Sequence, residues 1–300
     1  MRRSHLLFTA LLIWLGGLGC SSAEGPTPQN PSVHTERSPR AEFMPMTRFF
    51  QSALWNDGLA EVSLYDATRT QYGVERSFAM TLITVKEDFD PDQMVKSDSP
   101  REGRTLGVIK NHLFFTMPTE NYPYNFAASS FISRSSPLHL WKMSVTASEW
   151  CGITTRLLRG WKVPAELEYR SYFDGESEGL EPLDWPANGV TEEQLLVSLR
   201  ALDFSEGLRR SIHVLERQID SHAGPPTWRR GELHVTGRES LQLHGGSEVE
   251  AWRVRIELRD GSRLSYAFGV DSPHLLLEHE GPGGVRLALR ESRRWAYWDR

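Results

Sequence analysis

Cys151 lies in the stretch SVTASEWCGITTRLL, residues 144–158, between Trp150 and Gly152 and two residues after Glu149. Cysteine acts as a nucleophile through its thiolate, which needs a helix N-terminus, an imidazolium or another cation close by. The nearest charge in sequence is the carboxylate of Glu149, which opposes a thiolate. His112 and His139 sit in neighbouring strand-like segments and are the natural bases for a thiol-dependent hydrolase or transferase built on Cys151. The competing expectation is packing, since a free cysteine beside a tryptophan suits a buried apolar site. That expectation is the stronger one.

Other chemistries fare less well. His274 and His279 differ by an odd number of residues, so on one strand they face opposite ways and cannot share an ion. His234 and His244 would face each other only if a turn centred near Glu239, and two imidazoles without a carboxylate make a thin metal site. The acidic runs EDFDPD (87–92) and DGESEGLE (174–181) lack the calcium-loop pattern and read as solvated loops. No metal and no cofactor is expected. No GxxxxGK[ST] loop, GxGxxG turn or HExxH pair occurs.

Binding candidates are a different matter. Tyr122 and Tyr124 in NYPYNF (121–126), with Glu149 and Trp150, could edge an apolar groove. The acidic balance of the chain argues against their stacking on nucleic-acid bases. Glu61 falls inside a half-buried strand pattern, where an inward carboxylate must find a partner.

These residues have to be positioned by strands. From Trp55 the sequence carries two β-branched and aromatic runs separated by QYG (71–73), which predicts an early hairpin. Strand character recurs at 104–117, 138–147, 153–159 and 165–174. Thr191 followed three residues later by Gln194 opens a helix with Leu195, Leu196, Leu199 and Leu202 on one stripe. The segment 208–219 has helical spacing at Leu208, Ile212, Leu215 and Ile219, while Ile212 and Val214 suit a strand equally, so both assignments stand. After 248, Trp252, Val254, Ile256 and Leu258 alternate with charged residues; Asp260-Gly261 and GPGG (281–284) then supply turns of an antiparallel meander. The expected fold is mainly β, a curved antiparallel sheet or half-barrel-like meander with a helical insertion near 191–219 and one or two covering helices.

The N-terminus gives an address. Arg2 and Arg3, the run LLFTALLIWLGGLG and Cys20 describe an export signal over 1–19, shorter than a comfortable membrane span. LGC before Ser21 reads as a lipobox with lipidation at Cys20, although Ser21-Ser22-Ala23 would also serve an ordinary signal peptidase. Either way Cys20 is lost to the fold, leaving Cys151 as a single thiol in a compartment where pairs would oxidise. Residues 20–42, rich in Pro, Ser and Thr, read as a disordered tether ahead of one β-rich domain spanning 43–300. Losing Arg2 and Arg3 takes the net charge from -5 to about -7, which argues against nucleic acid as partner.

Trp55, Gly58, Ala60-Glu61, Tyr65, QYG (71–73), VKEDF (85–89), VKSD (95–98), YPY (122–124), SEWCG (148–152) and SYFDGE (171–176) together resemble a family of uncharacterised bacterial lipoproteins. Some members carry a septum-formation-inhibitor label that belongs to nucleotide pyrophosphatases, whose serine-rich entry loop has only RSPR (37–40) as a counterpart here. The resemblance implies lipidation at Cys20 and a role for EWCG. The architecture is also similar to curved half-barrels that carry lipids or lipoproteins through the periplasm. The expected function is that of an exported, membrane-tethered lipoprotein on the periplasmic face of the outer membrane. It would bind an apolar ligand or an envelope protein segment on the concave face of its sheet, without catalysis. A Cys151 hydrolase or transferase and a purely structural docking domain are the alternatives.

Overall fold

Alternating apolar and polar positions force a strand to bury one face, and in this chain the buried faces all belong to one sheet. The computed structural model describes residues 43–99 and 104–299. Its first half contains β1 (Ala60–Gln71), β2 (Val74–Asp90), β3 (Val95–Lys96), β4 (Leu106–Met117), β5 (Tyr124–Ser133), β6 (Leu140–Ser148), β7 (Ile153–Arg159), β8 (Ala165–Arg170) and β9 (Gly179–Leu183). Then come β10 (Gly189–Thr191), the helix α1 (Glu192–Ser198) and a 3-10 turn (Leu199–Ala201). The second half is β11 (Arg209–Leu215), β12 (Trp228–Gln242), β13 (Glu248–Leu258), β14 (Arg263–Gly269), β15 (Leu276–Gly281) and β16 (Val285–Trp295). The signal, Cys20 and the tether lie outside the described residues.

The spatial order is β10-β11-β12-β13-β14-β15-β16-β1-β2-β4-β5-β6-β7-β8-β9, with β3 on the end of β2. Two meanders are therefore joined side by side where the first strand meets the last: Ala60 pairs with Trp295 and Thr68 with Arg286. Neighbours are antiparallel except β10 and β11. The sheet is mainly antiparallel, curved and unclosed. Its two free edges, β9 and β10, flank a seam bridged by residues 184–188.

What the sheet curves around is α1. Thr191 caps it, Oγ1 accepting from the Gln194 N–H at 3.2 Å. All seven helical residues are buried, as is the following turn. A helix surrounded by protein normally carries apolar residues all round; here Glu192, Glu193 and Gln194 occupy the first turn and each finds a place. Glu192 pairs with Arg229, and Gln194 and Ser198 both donate to the carbonyl of Pro137. The helix thus fills the sheet from within rather than covering it from outside.

Three expectations need correction. The segment 208–219 is not a continuation of the helix: Ile212 and Val214 are fully buried on β11, and strand alternation wins over helical spacing. The turn imagined near Glu239 does not exist, because β12 runs unbroken through it. A bulge between Val235 and Gly237, where glycine takes φ +136°, bends the strand instead. His244 falls in the next hairpin and does not face His234. Finally, the concave face is not an open cradle, because α1 and the residues leading from Met44 to Trp55 pack against it.

Glu61 does point inward and meets Arg200 in a two-pronged contact, 2.6 Å to Oε1 and 2.8 Å to Oε2. The same guanidinium donates to the carbonyl of Pro273 and lies over the rings of Phe49 and Trp55. One ion pair therefore ties β1, the end of α1, the N-terminal entry segment and the β14–β15 turn together.

Candidate binding site at the aromatic rim

Strand direction places the β1–β2, β4–β5, β6–β7 and β8–β9 turns at one end of the sheet. Each contributes an aromatic side chain. Tyr72 comes from the first, Tyr122 and Tyr124 from the second, Trp150 from the third and Tyr172 from the fourth. The Tyr122 ring stacks on Trp150 with centroids 5.7 Å apart and planes 18° from parallel, and on Tyr124 at 5.7 Å. The hydroxyls of Tyr72 and Tyr124 are 2.9 Å apart. Trp150 is 77% exposed, Tyr72 60% and Tyr172 52%, so the stack is offered to solvent.

Gly152 is needed for close approach. A Cβ there would lie 2.2 Å from the Tyr172 ring, whose near edge occupies that space. The EWCG sequence thus supplies a stacking tryptophan and a seat for a tyrosine. Cys151 itself is exposed, against the expectation of burial. A turn between two strands presents its middle residues outward whatever their hydropathy. Its Sγ lies 3.5 Å from the Tyr122 hydroxyl, and its backbone N–H is 3.4 Å from Glu149 Oε2. The contact with Cys151, with a further contribution from Glu149, pushes the Tyr122 hydroxyl up to about 12. Burial, then its bonds to Tyr72 and Tyr122, pushes Tyr124 upward as well.

Neither histidine joins Cys151. His112 alternates with the inward-facing Leu113, so it lies on the outer face of β4, bonded through Nδ1 to Ser129 Oγ at 2.7 Å. It is five residues, about 17 Å along the strand, from the rim end. His139 occupies the β5–β6 turn at the opposite end, edge-on to Trp141, and β6 separates it from Cys151 by about 30 Å. Burial pushes both imidazoles below their ordinary value.

A second polar cluster lies just inside the same end. Residues 216–227, between β11 and β12, form a strap held by charged side chains. Arg69 donates to the carbonyl of Ile219 at 2.9 Å and pairs with Asp220. Arg156 donates to the carbonyls of Asp220 and His222. Glu193 Oε1 accepts from the N–H groups of Gln218 and Ile219 at 2.5 and 2.8 Å. Glu176, from the β8–β9 turn, takes His222 and the Ala223 N–H at 2.6 and 2.9 Å. Burial, and then Glu192, pushes the Glu193 carboxyl up to about 7, while burial pushes the His279 imidazole down to about 4. Of these residues His279 was weighed from sequence only as a metal ligand with His274, and Arg69, Arg156, Glu193, Asp220 and His222 were not singled out. The available signal was phase: Arg69 and Arg156 sit at positions where their strands point inward.

No protein-family model matches the chain, and a search of curated proteins finds no match either. Among solved structures, a β-barrel-like protein of the domain of unknown function DUF1849 from Brucella abortus is similar over 79% of this chain and 98% of its own, with 8% identity and a TM-score of 0.47. A DUF1089 family protein from Pseudomonas aeruginosa is similar over 58% of this chain and 84% of its own, with 17% identity and a TM-score of 0.38.

Proposed function

We propose that this chain is an exported, lipid-tethered, non-catalytic binding protein that holds an extended segment of an envelope protein against its aromatic rim. The observation that carries the reading is the solvent-facing stack of Tyr122 and Trp150, extended by Tyr72 and Tyr172 from separate turns. Tyrosine and tryptophan are rigid, amphipathic anchors with little rotamer entropy to lose, and exposed groups of them mark contact sites. The apolar-ligand form of the reading has less support, because α1 occupies the concave face and the space left beside it, lined by Met80, Leu113, Phe115 and Leu196, is about 60 Å³, far below the roughly 300 Å³ of a small-molecule pocket. The thiol-enzyme alternative gains an accessible Sγ, yet that sulfur meets only the Tyr122 phenol, the Glu149 carboxylate takes the backbone N–H of Cys151, and neither His112 nor His139 reaches it.

A photo-reactive phenylalanine analogue at position 150 of the full chain, expressed in its native envelope, tests this. A discrete protein adduct is expected from position 150, lost in Tyr122→Ala and absent when the probe stands at exposed Glu257. Identical adducts from both positions, or none at 150, sink the reading. Lipidation is checked separately by incorporation of an alkyne fatty acid, which Cys20→Ser should abolish.

A further inference from the structure

The rings of the rim differ from other aromatic rings of this chain in what lies over them. Among the described residues, arginines lie over Phe49, Trp55, Phe126, Trp252 and Trp295 at 4.3–5.6 Å, whereas no cation lies over Tyr72, Tyr122, Trp150 or Tyr172. One face of Trp150 rests on Tyr122, and its 77% exposure leaves the other open. The charge around these rings has one sign. The turns 72–73, 118–123, 149–152 and 171–178 contain Glu120, Glu149, Asp174, Glu176 and Glu178 but no lysine or arginine, and Glu75 follows the first of them. Arg76 pairs with Glu120 at 2.7 Å, and His222 meets Glu176 at 2.6 Å. Arg170, at the end of β8, is held by Glu168 at 3.0 Å. Arg286, opposite Thr68 on β16, is about 13 Å down the strand from Tyr72. Glu75, Asp174 and Glu178 are exposed, and with Glu149 they have no ion-pair partner among the described residues.

A stacked aromatic surface edged by unpaired carboxylates fits a positively charged partner. Ring faces carry the negative end of the aromatic quadrupole and attract cations, guanidinium most often. The planar guanidinium also pairs with carboxylates through its fork of N–H donors. We propose that the extended segment held at the rim is cationic, with arginine side chains laid over the open faces of Trp150 and Tyr172 and their N–H groups turned to Glu149, Asp174 and Glu178. This assignment of charge rests on the reading of the rim as a contact for an extended protein segment. An extended chain presents alternate side chains on one side about every 7 Å. Basic residues at every second position therefore engage the rim together, while those between them face solvent. The same carboxylates repel an acidic segment or a phosphate group.

The test is fluorescence anisotropy of labelled dodecapeptides in which serine alternates with arginine, glutamine or glutamate, titrated with the full chain. Saturable binding of the arginine peptide is expected, with the glutamine peptide about tenfold weaker and the glutamate peptide unbound. Raising NaCl from about 0.05 to about 0.5 M should weaken the arginine peptide several-fold. Trp150→Ala, and Asp174→Asn combined with Glu178→Gln, change exposed positions and spare the core. Each should weaken binding several-fold at an unchanged melting temperature, and Glu257→Gln, exposed on β13, should not. Arginine and glutamine peptides bound equally, and both lost in Trp150→Ala, would overturn the charge preference while leaving the rim a protein contact. No binding of the arginine peptide, or binding unchanged in Trp150→Ala, would overturn the assignment, as would saturable binding of a chito-oligosaccharide with no peptide bound. In each case the adduct from position 150 decides separately whether the rim holds a protein segment.

Discussion

Arg200 and Glu61, 139 residues apart in the chain, face each other across the filled interior with both carboxylate oxygens engaged, and their side chains are 2% and 4% exposed. Desolvating two charges is costly, and their attraction offsets that cost only while both are present. Glu61→Ala or Arg200→Ala should therefore lower stability by about 3–5 kcal/mol. The double variant Glu61→Leu with Arg200→Met should recover most of the loss. Urea unfolding of the four proteins checks this; a double variant as unstable as the sum of the singles would rule it out.

The stability of the strap end should depend on pH through two opposed groups. Glu193 has its folded value raised from 4.5 to about 7, so its contribution is complete below pH 4.5 and is lost as pH rises through 7. His279 has its folded value depressed from 6.5 to about 4, so its contribution is complete above pH 6.5 and is lost as pH falls through 4. Each amounts to about 3 kcal/mol at most, and between pH 4.5 and 6.5 they cancel. Glu193→Gln should expose an acid-sensitive protein, and His279→Gln one that becomes steadily more stable from pH 7 to 4.5. Melting curves across that range decide it, and parallel profiles for the two variants would contradict the pairing.

Cys151 should react with a maleimide in the native protein at a rate within about tenfold of the denatured chain, because its turn leaves Sγ open to solvent. Cys151→Ser should leave folding intact. Labelling confined to denaturant would mean that the turn is covered.

Gly152→Ala should displace the Tyr172 ring, since the added carbon falls within 2.8 Å of three of its atoms. Overpacking of this kind costs about 1–3 kcal/mol. Quenching of Trp150 fluorescence by iodide, compared with wild type, reports whether the rim has rearranged. An unchanged spectrum and melting temperature would refute the close approach.

Strand and cap were legible because their signals are local. The β1–β2 hairpin, the Thr191 cap and the C-terminal meander each follow from residues within a few positions of one another. Partners across the sheet were not legible: Glu61 announced its need but not Arg200, since nothing in sequence measures a separation of 139 residues. The burial of Cys151 was misjudged for the same reason, its neighbours in sequence being less decisive than its place at a turn. The strap arginines were hidden by their type, because Arg69 and Arg156 read as surface charges until their strand phase is counted.

The pairing of β1 with β16 bears on how the molecule is made. Each meander is contiguous in sequence and can assemble from local hairpins, but the strand that unites them, β16, follows every other strand in sequence. Until Trp295 reaches Ala60, the inner faces of both halves and α1 have no common enclosure. The folding chain therefore passes through a stage with two unsealed half-sheets. Truncation of even the final dozen residues should be more damaging to this protein than loss of a whole hairpin at the β9 edge.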